Sequence, residues 1–187
     1  MPTFYEGEPI ATFTFQVEES DFQEALFLEL NFRSNMHRQE VKVGICATLA
    51  ILFAAMIPIF YGRFRSFWMP MIAVGFVVIL GLFFLFWQPK SLRQLGAEFY
   101  RSNQLLSKKQ TASVYRDSLI YQNDCETITQ YWTDFDRCIE NKSGLLLVGG
   151  EHRLLILKTD VLSEEKQKQI SEHMQAVFAS KYHRVKR

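Results

Sequence analysis

Between Ile10 and Glu18 apolar and polar residues alternate, with Phe13, Phe15 and Val17 on one set of positions and Thr12, Thr14 and Gln16 on the other. A period of two places the aromatic set on one face of a half-buried strand. "SDFQ" at 20–23 then has the form of a capping box, with Ser20 as N-cap and Gln23 reaching back. It predicts a helix carrying Phe22, Ala25, Leu26, Phe27 and Leu30 towards the next segment.

There the polar positions vanish. Residues 43–61 and 67–87 contain no Asp, Glu, Lys, Arg or His. Each run is about 20 residues long, enough for a helix to cross a hydrocarbon core of roughly 30 Å. Soluble core helices seldom stay apolar all round for so long. The pattern predicts a transmembrane hairpin over 43–87, with "YGRFRS" (61–66) at its tip. A cleaved leader fits poorly, because some 42 residues of mostly polar and amphipathic sequence precede the first run. Ala47, Ala50 and Ala54 are the small residues expected at the contact between the spans, whereas Gly75 and Gly81 do not share a face. Pro58 is expected to kink the first span, and Pro70 suits the first turn of the second.

Beyond Trp87 a 3.6-residue period returns: "SLRQ" (91–94) resembles a second capping box, and Leu92, Leu95, Phe99 and Leu106 form an apolar stripe. From Thr111 to Thr159 short β-forming runs are separated by Asn123-Asp124, Lys142-Ser143-Gly144 and Gly149-Gly150, which reads as an antiparallel meander. A last helix is expected from Ser163, with Glu164 and Glu165 favourable in its first turn and Ile170, Met174, Val177 and Phe178 buried.

Charge sets the expected orientation. Arg33, Arg38 and Lys42 flank the first span and Lys90, Arg93, Arg101 and Lys108 the second, against Arg63 and Arg65 in the loop. Basic residues favour the cytoplasmic side, so the chain is expected to be a multi-pass protein of the cell membrane with both termini cytoplasmic. Residues 1–42 carry three basic and eight acidic residues and 88–187 carry sixteen and twelve, so the net charge of +1 hides opposite halves. Cys46, Cys125 and Cys138 have no spacing that suggests a disulfide framework. "NKS" at Asn141 reads as a turn.

The order of these elements, with "SVYRDSLIYQN", "TITQYWTDFDRCIE" and "GLLLVGGEHRLLILKTDVLSEEKQKQISEHMQAVF", resembles the YcxB-like family of bacterial membrane proteins. Its most specific part covers residues 111–180, including the Trp-x-Asp-aromatic segment at Trp132 to Phe135. The resemblance implies an α+β membrane protein with a cytoplasmic pleckstrin-homology-like domain, completed by the strand at 10–18. Where that family usually has a proline at the exit of the last strand, this chain has "ILKTDVL". The family brings no established activity or catalytic residues to transfer.

Candidate chemistry is sparse. Asp134 and Asp136 would share a strand face, flanked by inward Thr133 and Phe135, and are the only paired carboxylates considered for acid–base work. His152 and His173 lack metal-ligand spacing, and "LVGGEHR" lacks the Lys-Ser/Thr ending of a phosphate loop. Neither apolar run carries an ionisable group, against an ion or proton pathway. Basic residues gather at Lys108 and Lys109 and at Lys181, Arg184, Lys186 and Arg187. The last four are the expected contact with anionic headgroups, each worth roughly 1 kcal/mol near a cytoplasmic leaflet. The leading expectation is therefore non-enzymatic: a hairpin displaying a module that binds a cytoplasmic partner protein or lipid headgroups, with no cofactor and no nucleic acid. A membrane-surface enzyme or regulator using Asp134 or Asp136, and a homo-oligomeric scaffold assembled through the hairpin, are the alternatives.

Overall fold

The computed structural model describes residues 7–33, 38–103, 105–150 and 153–185. The chain divides into two compact units, one from Met1–Ala25 with Ala97–Arg187 and one from Leu26–Gly96. The architecture is mixed α and β.

The first unit contains two four-stranded sheets. Sheet one has the order β1 (Ala11–Gln16), β2 (Lys109–Val114), β3 (Ser118–Gln122), β4 (Thr127–Tyr131), all antiparallel. The alternation in β1 behaves as its sequence predicts, with Phe13, Phe15 and Val17 buried among Ala112, Val114, Leu119 and Tyr121. On the opposite face Thr12 meets Ser113 and Thr14 meets Thr111 through hydroxyl hydrogen bonds of 3.1 and 3.0 Å. The strand before the hairpin thus pairs with the strand after it, across 101 residues of sequence. A single 3-10 turn, Trp132–Asp134, leads from sheet one into sheet two. Trp132 is buried there and its indole N–H donates to the carbonyls of Tyr115 and Arg116.

Sheet two runs β7 (Leu154–Leu157), β6 (Leu145–Gly149), β5 (Phe135–Glu140) and β8 (Tyr182–Arg184). Its first three strands are antiparallel, and β8 joins β5 in parallel. Parallel pairing needs a crossover, and α5 (Glu164–Phe178) supplies it. Ile170, Met174 and Phe178 of α5 are buried, while Val177, expected on the same face, is exposed. The turns form where Asn and Gly punctuate the sequence. Asn123 Oδ1 accepts the N–H groups of Cys125 and Glu126, and Asn141 Oδ1 accepts that of Gly144. Gly144 is needed sterically, because a Cβ there would lie 2.0 Å from the Leu157 carbonyl oxygen. At the exit of β7, in the "ILKTDVL" stretch, Lys158 leads into a 3-10 turn, Thr159–Val161. Its ammonium pairs with Asp21 at 2.8 Å, both side chains largely buried.

The helix α1 (Glu19–Arg33) begins two residues earlier than a Ser20 cap requires. Asp21, in its first turn, accepts the Glu18 N–H at 2.8 Å, and Gln23 instead donates to Glu19. The carboxylate three positions on does the reaching back that the sequence suggested for Gln23. Within the first unit the end of α4 (Gln88–Ser102) is fastened by Tyr100, whose hydroxyl donates to the Val17 carbonyl at 2.7 Å.

In the second unit α2 (Gln39–Phe64) and α3 (Trp68–Leu82) form an antiparallel hairpin. Both are long and apolar enough to cross a membrane, α3 continuing as one helix to Ser102. Only 6% and 11% of their most apolar windows are buried, so the described residues leave both apolar surfaces largely uncovered. The helix runs through Pro58 and ends inside the tip expected from sequence, three residues past Tyr61: Arg63 lies in its last turn and Arg65, at φ 49°, donates its N–H to the Tyr61 carbonyl. The contact face differs from the alanine stripe. Cys46, Ala50, Phe53 and Ile57 are half-buried, whereas Ala47 and Ala54 are exposed. The close approach involves Gly81, where a Cβ would meet the Cys46 Cβ at 3.5 Å. Residues Phe83–Trp87 form one π-helical turn. A π turn leaves α-helical hydrogen bonding locally unmatched, and Gln39 of α2 donates to the Leu85 carbonyl at 3.1 Å. Lys42 adds a hydrogen bond to Gln88 and sits over the Phe84 ring. Since α3, the π turn and α4 are continuous, Ser91 starts no helix, and the second capping box is not used. Leu95 and Phe99 of the expected stripe are exposed, with Gly96 buried instead.

Candidate functional site

The basic segment after α5 is an ordered strand. α5 ends at Phe178, a 3-10 turn covers Ala179–Lys181, and β8 lies against β5 with Cys138, Ile139 and Glu140 opposite Tyr182, His183 and Arg184. The Val185 N–H extends the pairing to the Glu140 carbonyl at 3.0 Å.

Glu140 is the hub of this arrangement. Its carboxylate accepts hydrogen bonds from Ser171 Oγ at 3.1 Å and from the Tyr182 hydroxyl, and Arg184 Nε lies 3.4 Å away. The two hydroxyl oxygens lie 3.0 Å apart, so when one donates to the other, that one gives up its bond to Glu140. A carboxylate only 16% exposed needs such donors, because burying an unpaired charge is costly. Burial, reinforced by the hydrogen bond to Glu140, pushes the Tyr182 phenol up to about 12. The Arg184 side chain stays 71% exposed, so one face of its guanidinium remains open to solvent while the other meets Glu140. Lys181 is exposed in the turn before it.

Beside this cluster is a polar groove of about 350 Å³, between the Asn141–Lys142 turn and the Gln167–Lys168–Ser171 side of α5. Its three acids and three bases balance one another, and Lys168 pairs with Glu172 at 3.8 Å. Asn141 is committed to its turn and to Glu24, to which its amide donates at 3.1 Å.

The two aspartates do not form a pair on one strand face. Asp134 belongs to the 3-10 turn and accepts the Tyr131 N–H at 3.0 Å, a capping role, whereas Asp136 is exposed on β5. Thr133 is exposed where an inward position was expected, because the turn rotates it out of strand alternation. Lys108 donates to Cys125 Sγ at 3.0 Å, which raises the Lys108 pKa, and Lys109 opens β2. Burial pushes the Cys138 thiol up to about 12, leaving it un-ionised at neutral pH. Among the described residues no three His, Cys, Asp or Glu side chains gather where they could hold a metal ion. His152, Lys186 and Arg187 lie outside the described residues.

Sequence reading singled out Lys181 and Arg184 but missed Glu140, Ser171 and Tyr182. The Tyr-x-Arg spacing carried a hint, since alternate residues of a strand share a face. A three-residue strand is too short for its period to stand out. Comparison with family models, curated proteins and solved structures finds no match to this chain.

Proposed function

We propose that the chain is a two-span membrane protein of YcxB-like type, displaying a cytoplasmic pleckstrin-homology-like module that binds anionic lipid headgroups or a partner protein. The observation that carries this reading is the β1–β2 pairing. Segments flanking the hairpin on both sides build one sheet, so the chain between them crosses a membrane an even number of times or not at all. The two exposed apolar helices supply two crossings. Seven basic residues flanking the spans, against two at the tip, favour the cytoplasm for the folded unit. Two sheets meeting at the Trp132 turn, with one helix covering the core, support the pleckstrin-homology-like description. Lys181 and the open face of Arg184 are the described groups suited to headgroup phosphates.

The test uses the full chain in nanodiscs made with and without anionic phospholipid. Hydrogen exchange at residues 181–185 is expected to slow with anionic lipid, and Lys181→Ala with Arg184→Ala to abolish the difference. Exchange indifferent to lipid charge overturns headgroup binding and leaves the partner-protein reading. Topology is read separately, with single cysteines at Ser66 and Ser180 in a cysteine-free background. An impermeant maleimide should label position 66 from outside intact cells and leave 180 untouched. The reverse pattern overturns the cytoplasmic placement.

A further inference from the structure

β8 is anchored almost entirely by groups outside itself. Its main chain pairs with β5, and the groups that hold Tyr182 and Arg184 are Glu140 on β5 and Ser171 on α5. The segment that delivers it is short and strained. Ala179 sits at φ 46° and ψ −111°, where a Cβ is poorly tolerated, and only Ser180 and Lys181 separate it from β8. Such a conformation persists in a non-glycine residue only when the surroundings enforce it. Here the enforcement is the pairing of β8 with the β5 of its own chain.

We propose that β8 exchanges between two copies of this chain, Tyr182–Arg184 of one copy occupying the β5 edge of the other. The receiving copy presents the same main-chain edge, the same Glu140 carboxylate and the same Ser171 hydroxyl, so every contact of β8 is kept. What changes is Ala179, which no longer has to reverse the chain and relaxes to an ordinary conformation. A short hinge under strain is the arrangement that favours exchange. The occupant is a second copy, because Tyr182-His183-Arg184 is itself the segment whose side chains fit this edge. The inference goes beyond the proposed function and does not depend on which ligand the module takes.

The experiment uses full chains lacking the three native cysteines. One version carries Ile139→Cys and a second, differently tagged, carries His183→Cys; a third carries both. Positions 139 and 183 are register partners outside the Glu140 cluster, so the Glu140 contacts that hold β8 are kept. The two single variants are co-expressed, extracted and oxidised with copper–phenanthroline. A covalent heterodimer joined between 139 and 183 is the result expected. Its absence overturns the proposal, and an intramolecular bridge in the double variant then shows that the pair lies in reach within one chain. Ala179→Gly, which removes the strain of the closed form, is expected to lower the heterodimer yield by roughly fivefold or more. An unchanged yield overturns strain relief as the driving force.

Discussion

The two units use the same apolar side chains in opposite ways. In the hairpin Ile51 and Ile72 are 70% and 68% exposed, whereas in the strand unit Leu119, Leu147 and Leu157 are wholly buried. Water drives the second arrangement, since roughly 25 cal/mol is gained for each Å² of apolar surface removed from it. It cannot favour the first. An outward-facing apolar helix pair is stable where the surroundings are themselves apolar, and its cohesion then rests on close fit along one stripe. Such a fit is visible at Gly81, where there is room for Cys46 to come close. The strand unit instead needs a core assembled from both ends of the sequence.

This contrast can be broken most severely at Gly144. Gly144→Ala drives a methyl into the Leu157 carbonyl, and a loss of about 4 kcal/mol, or failure of the strand unit to fold, is expected in urea titrations in detergent. Leu147→Ala, in a β-strand buried along its length, should cost about 2–5 kcal/mol by the same measurement. Tyr182→Phe removes the hydroxyl shared by Glu140 and Ser171, and about 1 kcal/mol is expected. This contribution has a pH signature. Tyr182 is held protonated to about 12 in the folded chain against an ordinary value of 10. The stability it confers is complete below pH 10 and lost as the pH rises towards 12. The gap between wild type and Tyr182→Phe should therefore narrow in alkaline urea titrations. Ile51→Ala is the matched control for Leu147→Ala, and a change below about 0.5 kcal/mol in the same titration is expected. A loss comparable to that at Leu147 would mean that Ile51 is covered by something other than lipid or detergent.

Legibility followed the range of the interactions. The β1 alternation, the two apolar runs and the Ile170–Met174–Phe178 face were readable because each repeats over several residues. Features decided by one contact were not. The α1 start depends on Asp21 reaching Glu18, and the continuity through Ser91 depends on a π turn whose Leu85 carbonyl finds Gln39, 46 residues away. The alanine stripe misled because half-burial at Cys46 and Phe53 depends on how the helices turn towards each other, which composition does not encode. For the candidate site, the basic residues were legible as charge, but their anchor Glu140 lies 42 residues before Tyr182. No local pattern joins the two.

The pairing of β1 with β2 also sets an order of events during synthesis. Gln16 leaves the ribosome long before its register partner Lys109, a separation of 109 − 16 = 93 residues. At 5–20 residues per second β1 waits roughly 5–20 s for a partner, with Phe13, Phe15 and Val17 uncovered. Everything between them is the hairpin and its flanking helices. If the hairpin crosses a membrane twice, the two strands meet on one side and the core closes. A chain that threads only one span separates them across the bilayer and leaves three apolar side chains exposed. The sheet therefore closes only around a segment that crosses an even number of times or not at all, so its completion reports on how the hairpin was threaded.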